Sequence, residues 1–124
     1  MSDNETRVLV VDDSPDSVSW LISMLELNGY VAKSASDGSQ AMSIISEFRP
    51  HCVLLDVKMP GVDGLELSKR LRKEYGDDIV LIAVTGGSAT DAQVSGTFDL
   101  VDHYLAKPVD MAHFEKILPP LLDR

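Results

Sequence analysis

His51-Cys52-Val53-Leu54-Leu55-Asp56-Val57-Lys58-Met59-Pro60-Gly61 is the stretch on which the reading of this chain turns. Five residues suited to a buried strand run into an acid, and a Pro-Gly turn follows. A strand covered on both faces reads as a continuous apolar run, not an alternating one. Asp56 then stands at the carboxyl end of that strand. In an open α/β sheet this is the edge where ligands bind.

The segments on either side repeat the pattern. Arg7-Val8-Leu9-Val10-Val11 reads as a first strand ending at Asp12-Asp13. Ser14-Pro15 looks like an N-cap with proline at the first helical position. Val18, Leu21, Ile22 and Leu25 recur at helical spacing, and Asn28-Gly29 closes that first helix. Tyr30 to Ala35 is a second, less apolar strand, suited to an edge. Asp37 and Gln40 resemble a capping box ahead of a helix with Ala41, Ile44, Ile45 and Phe48 inward, stopped by Pro50. Beyond the opening stretch, Asp63-Gly64 begins a third helix whose Leu67 and Leu71 face inward. Its Lys69, Arg70, Arg72 and Lys73 read as a solvated basic face. Ile79 to Val84 is a fourth strand, ending at Thr85-Gly86-Gly87. Ser88 opens a fourth helix, weak in propensity and carrying Gly96. His103 to Ala106 is a fifth strand that ends at Lys107-Pro108. Asp110 caps a last helix with Phe114, Ile117, Leu118 and Leu121 inward, and Pro119-Pro120 ends or bends it.

Five strands alternating with five helices imply a parallel sheet covered on both faces. Right-handed crossovers leave few topologies, and the natural one is the flavodoxin-like doubly wound (βα)5 fold with sheet order 2-1-3-4-5. The 124 residues form one domain, with a polar tail at 1–6 and residues 119–124 as the start of a linker. The net charge of −9 argues against direct nucleic-acid binding, which needs a basic footprint. It suits a bound cation or a basic partner surface. No apolar run is long enough to span a membrane, and the polar start has no signal-like core, so a cytoplasmic protein is expected. Cys52 is the single cysteine and reads as a small buried hydrophobe.

In this topology the strand ends converge: Asp12-Asp13, Asp56, Thr85 and Lys107 meet at one edge. Taken singly, each has an ordinary explanation as a cap, turn or surface-pair residue. Taken together they describe a site. Three close carboxylates repel one another unless a cation sits among them, and a few hard oxygen ligands suit Mg²⁺ or Mn²⁺. A lysine and a hydroxyl opposite the metal suit a phosphoryl group, and Asp56 can serve as its nucleophile.

Val10-Val11-Asp12-Asp13, Leu54 to Gly64, Val84-Thr85-Gly86 and Tyr104-Leu105-Ala106-Lys107-Pro108 together resemble the receiver domain of two-component response regulators, over about residues 7–118. The resemblance implies that Asp56 accepts a phosphoryl group from the phosphohistidine of a histidine kinase or histidine phosphotransfer protein. It implies that Asp13 and Asp56 bind Mg²⁺ directly, Asp12 mainly through water, and Lys58 through its backbone carbonyl. Thr85 and Lys107 would hold phosphoryl oxygens. Tyr104 would be the switch aromatic, and Lys107-Pro108 a cis peptide. The switching face would be the Ser88 helix, the fifth strand and the last helix. Lys58 and Gly87 occupy positions that tune phosphate lifetime in the family. The segment from Asp102 to Asp110 is similar to receivers fused to hybrid histidine kinases.

Such a module catalyses its own phosphorylation and dephosphorylation, without turnover of an external substrate. Two rival readings stand beside it. A pseudo-receiver would be a phosphate-free interaction domain, against which the intact set Asp12, Asp13, Asp56, Thr85 and Lys107 argues. An aspartyl-phosphate hydrolase would need a second acid close after the nucleophile, where this chain has Lys58. Finally, Trp20, Met24 and Leu27 form a second stripe opposite the core face of the first helix. A Trp beside a Met is interface-like, so this stripe is the expected contact for a partner or for a homodimer.

Overall fold

Strands that are apolar on both faces need helices on both, and the computed structural model supplies them. It describes residues 6–56, 64–85, 101–106 and 110–117. The elements in order are β1 (Arg7–Val11), α1 (Pro15–Leu27), β2 (Val31–Ala35), α2 (Gly38–Phe48), β3 (Cys52–Asp56), α3 (Gly64–Tyr75), β4 (Val80–Thr85), β5 (His103–Ala106) and α4 (Met111–Ile117). The sheet is five-stranded with order β2-β1-β3-β4-β5, and every pairing is parallel. This is the doubly wound order expected from the strand–helix alternation. Lys58, Asp63, the Ser88 helix, Lys107, Pro108 and the Leu118–Leu121 end of the last helix lie outside the described residues.

The strand alternation splits the core in two. Val8, Val10, Cys52, Leu54, Ile82, Val84 and Leu105 pack on one face with Leu21 and Leu25 of α1 and Phe114 of α4. Leu9, Val11, Val53, Leu55 and Leu81 pack on the other with Ala41 and Ile45 of α2 and Leu67 and Leu71 of α3. β3 is buried at all five positions, as its unbroken apolar run requires. Cys52 is fully buried, and burial, followed by the charge of Asp102, pushes its thiol well above the usual range. It acts as a core residue. Among the described residues no helix is long and apolar enough to cross a membrane.

Several local details refine the sequence expectation. Ser14 is the α1 N-cap and Pro15 follows it, but the serine side chain makes no capping bond. Asp12 Oδ1 accepts the Ser14 N–H at 2.9 Å, a local bond just ahead of the helix. The Asp37–Gln40 box is half formed: Asp37 Oδ1 accepts Gln40 N–H, while Gln40 Oε1 reaches back one residue further, to Ser36 N–H. β2 begins at Val31, because Tyr30 N–H donates back to Leu25 O of α1 at 3.0 Å; the Tyr30 ring meets Phe114 edge-on with centroids 5.4 Å apart. α2 ends at Phe48, and Arg49 takes a left-handed conformation (φ 51°), the backbone state a helix C-terminus commonly needs.

Candidate functional site

The register of the central strands brings the acids together. β1 and β3 are neighbours, with Val11 opposite Leu55. Asp12 follows directly on one strand and Asp56 on the other, so the two leave the sheet side by side. Asp12 N–H donates to Ala35 O at 3.0 Å, which ties the residue to the β2 edge. Its Oδ1 accepts the Ser14 N–H, which ties the carboxylate to the start of α1. Asp12 and Asp56 are 6% and 7% exposed, whereas Asp13 faces solvent. One carboxylate oxygen from each of Asp12, Asp13 and Asp56 lies within 4.8 Å of the others.

Such a set concentrates negative charge at one point of the surface, and a divalent cation neutralises it. Carboxylate oxygens are the donors that Mg²⁺ prefers, and one exposed ligand leaves the site open to solvent and to an anionic reactant. The donor set fits that ion.

Thr85 ends β4, one residue beyond Val84, which pairs with Asp56. Its backbone pairs with Ala106 of β5, so Lys107 follows Thr85's partner in the chain. Tyr104 lies within β5, its backbone opposite Ala83. The side chains of Thr85 and Tyr104 are outside the described residues, as are Lys58 and Lys107. On α1, Trp20 is 46% exposed and Leu27 is 80% exposed, and Met24 between them is half-buried.

Two groups at the opposite end of the sheet escaped the sequence reading. His51 precedes β3 and does not belong to it: its Nδ1 accepts Arg7 N–H at 3.0 Å and its own N–H donates to Arg7 O. Arg72 is not part of a solvated face. Lys69, Arg70 and Lys73 are exposed, but Arg72 turns in to meet Gly76 O, Ile79 O and Asp102 Oδ2. No periodicity links residues 72 and 102. The only sequence signal was a position beside the inward Leu71.

Comparison with known proteins agrees with this arrangement. The chain matches the response regulator receiver domain over residues 8–118. It is 37% identical over 118 residues to the response regulator MprA of Mycolicibacterium vanbaalenii, covering 95% of this chain and 51% of that one. The chain thus spans about half the length of the curated relatives it matches. The receiver domain of the sensor histidine kinase PA1611 from Pseudomonas aeruginosa, solved with a magnesium ion in its active site cleft, superposes with a TM-score of 0.83 at 27% identity, over 97% of this chain and 99% of that one. A CheY-like receiver domain from Methylobacillus flagellatus gives 0.82 at 29% identity, over 94% and 98%. With the sheet order, the paired acids and these matches in agreement, the chain belongs to the response regulator receiver domain family of two-component signalling.

Proposed function

We propose that Asp56 is the phosphoacceptor of this receiver and that Mg²⁺ sits among Asp12, Asp13 and Asp56. The observation that carries this reading is the convergence of three carboxylates, from the ends of β1 and β3, to within 4.8 Å of one another. The magnesium in the cleft of the P. aeruginosa receiver domain supports the choice of ion. Asp13 and Asp56 are assigned direct ligation, Asp12 ligation mainly through water, and Lys58 a backbone carbonyl ligand. When bound, the ion screens the acids and offsets the charge of phosphoryl oxygens.

A carboxylate oxygen of Asp56 attacks the phosphorus of a partner's phosphohistidine in line. The new O–P bond forms as the P–N bond breaks, and the imidazole leaves and regains its proton. Transfers of this kind depend on placement and charge neutralisation more than on covalent assistance. Thr85 and Lys107 are assigned to the phosphoryl oxygens, Tyr104 to the conformational readout, and Lys107-Pro108 a cis peptide. The phosphate adds nearly two negative charges, which new charge-assisted bonds to Thr85 and Lys107 answer. The donor is a histidine kinase or a histidine phosphotransfer protein, and the exposed Trp20–Leu27 stripe, with Met24, is its docking contact.

The deciding experiment is intact-protein mass spectrometry after incubation with acetyl phosphate and Mg²⁺. One added phosphate, absent in Asp56→Asn, is the expected result. No added mass in the wild type points to a phosphate-free interaction module. Continuous release of phosphate from many esters points to a hydrolase.

A further inference from the structure

β5 is the weak member of the sheet. It has four residues, sits at an edge, and pairs with β4 alone. Its register nonetheless decides what faces the phosphoryl site. Ala106 stands opposite Thr85, and Lys107 comes next in the chain. A slip of one residue in a strand exchanges its two faces and moves every following residue along the edge. Within β5 the buried Leu105 resists such a slip, and over only four residues a second hold at the strand's start adds to it.

The structure holds this register from the far end. Asp102, the residue before β5, grips Leu81 of β4 twice: its N–H donates to Leu81 O at 2.8 Å, and its Oδ2 accepts Leu81 N–H at 2.9 Å. That Oδ2 is itself held by Arg72 Nη2 at 2.8 Å. Arg72 is fixed in turn, since its Nη1 donates to Gly76 O and Ile79 O, the carbonyls that turn α3 into β4. The Arg72 side chain is only 19% exposed. One guanidinium therefore joins the end of α3, the start of β4 and the start of β5. Charge-assisted bonds of this geometry are short and directional, and so suit a register pin.

We propose that Arg72 and Asp102 are positioning residues for phosphoryl transfer: by locking β5 in register against β4, they set Ala106 opposite Thr85 and so fix the point of the sheet edge from which the chain runs on to residue 107. Neither touches the reacting atoms. The inference rests on the phosphoacceptor reading above, and concerns how that site is held in shape from the other end of the sheet.

The test measures the phosphorylation rate with acetyl phosphate at saturating Mg²⁺, and separately the Mg²⁺ dissociation constant by calorimetry. Wild type, Arg72→Ala, Arg72→Lys and Asp102→Asn are compared at a temperature where circular dichroism shows each fully folded. Loss of the pin slows transfer on the order of tenfold in Arg72→Ala, the kind of cost that small misplacements carry. The Mg²⁺ constant stays within about twofold, because the acids come from β1 and β3. Arg72→Lys, which keeps the charge, recovers part of the rate. Asp102→Asn keeps an acceptor for Leu81 N–H and falls between Arg72→Ala and wild type; it also serves should Arg72→Ala fail to fold.

A merely destabilised chain would not behave this way, since the rate per folded molecule is indifferent to stability. Variants that accept phosphate as fast as wild type overturn the proposal. So does a slowing matched by an equal loss of Mg²⁺ affinity, which would mean general disruption. A wild-type chain that takes up no phosphate overturns the phosphoacceptor reading, and the positioning role with it; a wild type that is phosphorylated isolates any failure to the pair.

Discussion

The two ends of the sheet treat charge in opposite ways. At the carboxyl end, Asp12, Asp13 and Asp56 bring like charges to within 4.8 Å. At the amino end, charged and polar side chains are tied to the backbone. Arg7 Nε donates to Phe48 O and Arg49 O, His51 accepts Arg7 N–H, and Arg72 joins two carbonyls to Asp102. The amino end is built to hold the strands. The carboxyl end gathers like charges instead, an arrangement that a bound cation would offset. Stability and function should therefore separate by position along the strands.

The largest effect follows at the acid cluster. Asp13→Asn should weaken Mg²⁺ binding on the order of a hundredfold, read by calorimetry, since losing even a supporting group around a metal costs tenfold or more. In EDTA the same variant should melt at or above the wild-type temperature, because one of three repelling charges is gone. Wild type should show the complementary behaviour: Mg²⁺ at about a hundred times its dissociation constant stabilises it by about 2.7 kcal/mol against urea, and that gain shrinks in Asp13→Asn. An Asp13→Asn chain that melts lower than wild type in EDTA would break the contrast between the two ends.

At the other end the signs reverse. Arg72→Ala should cost about 2 kcal/mol in urea unfolding, the scale of hydrogen bonds to a charged group, with Mg²⁺ affinity retained. Cys52, at the amino end of β3, supplies a pH-dependent case. Burial raises its folded-state pKa, so the folded chain keeps the thiol proton where the unfolded chain loses it. This contribution is complete below the unfolded thiol's pKa of about 8.5, and stability then falls by about 1.4 kcal/mol per pH unit above it. Cys52→Ala should be less stable near neutrality but should flatten that alkaline limb. Urea midpoints between pH 8 and pH 10 measure the difference.

The same contrast explains what could be read from the sequence. The carboxyl end announces itself: a strand buried on both faces must be a continuous apolar run, and the first polar residue after it marks the edge. Asp12 and Asp56 are found this way, and the parallel order then makes them neighbours. The amino end carries no such mark. Arg72 meets Asp102 across thirty residues through a turn and a strand start, and its basic neighbours on α3 point to solvent. Its role depends on the side chain turning in, which composition does not record. Ser14 shows the limit at the smallest scale. It stands at the N-cap of α1, yet its side chain makes no capping bond, and Asp12 Oδ1 accepts its N–H. Tyr30 has strand propensity, but its N–H is committed to Leu25 O at the end of α1 and not to a neighbouring strand. Of these, Arg72 is the case in which a tertiary partner prevails over a local preference.

The smallest effect on stability, and the most selective on function, is expected on α1. Its buried side, Leu21 and Leu25, belongs to the core, while Trp20 is 46% exposed and Leu27 is 80% exposed. Trp20→Ala should change unfolding stability by less than about 0.5 kcal/mol, the range of surface substitutions. Acetyl phosphate is too small to need a docking surface, so its rate of transfer to Asp56 should not change. Transfer from a phosphorylated protein donor should fall, because an exposed aromatic at the centre of an interface commonly carries much of its binding energy. The ratio of the two rates therefore isolates docking from chemistry. An equal fall in both would place Trp20 with the residues that shape the site, and an unchanged protein-donor rate would leave the α1 stripe without a role in recognition.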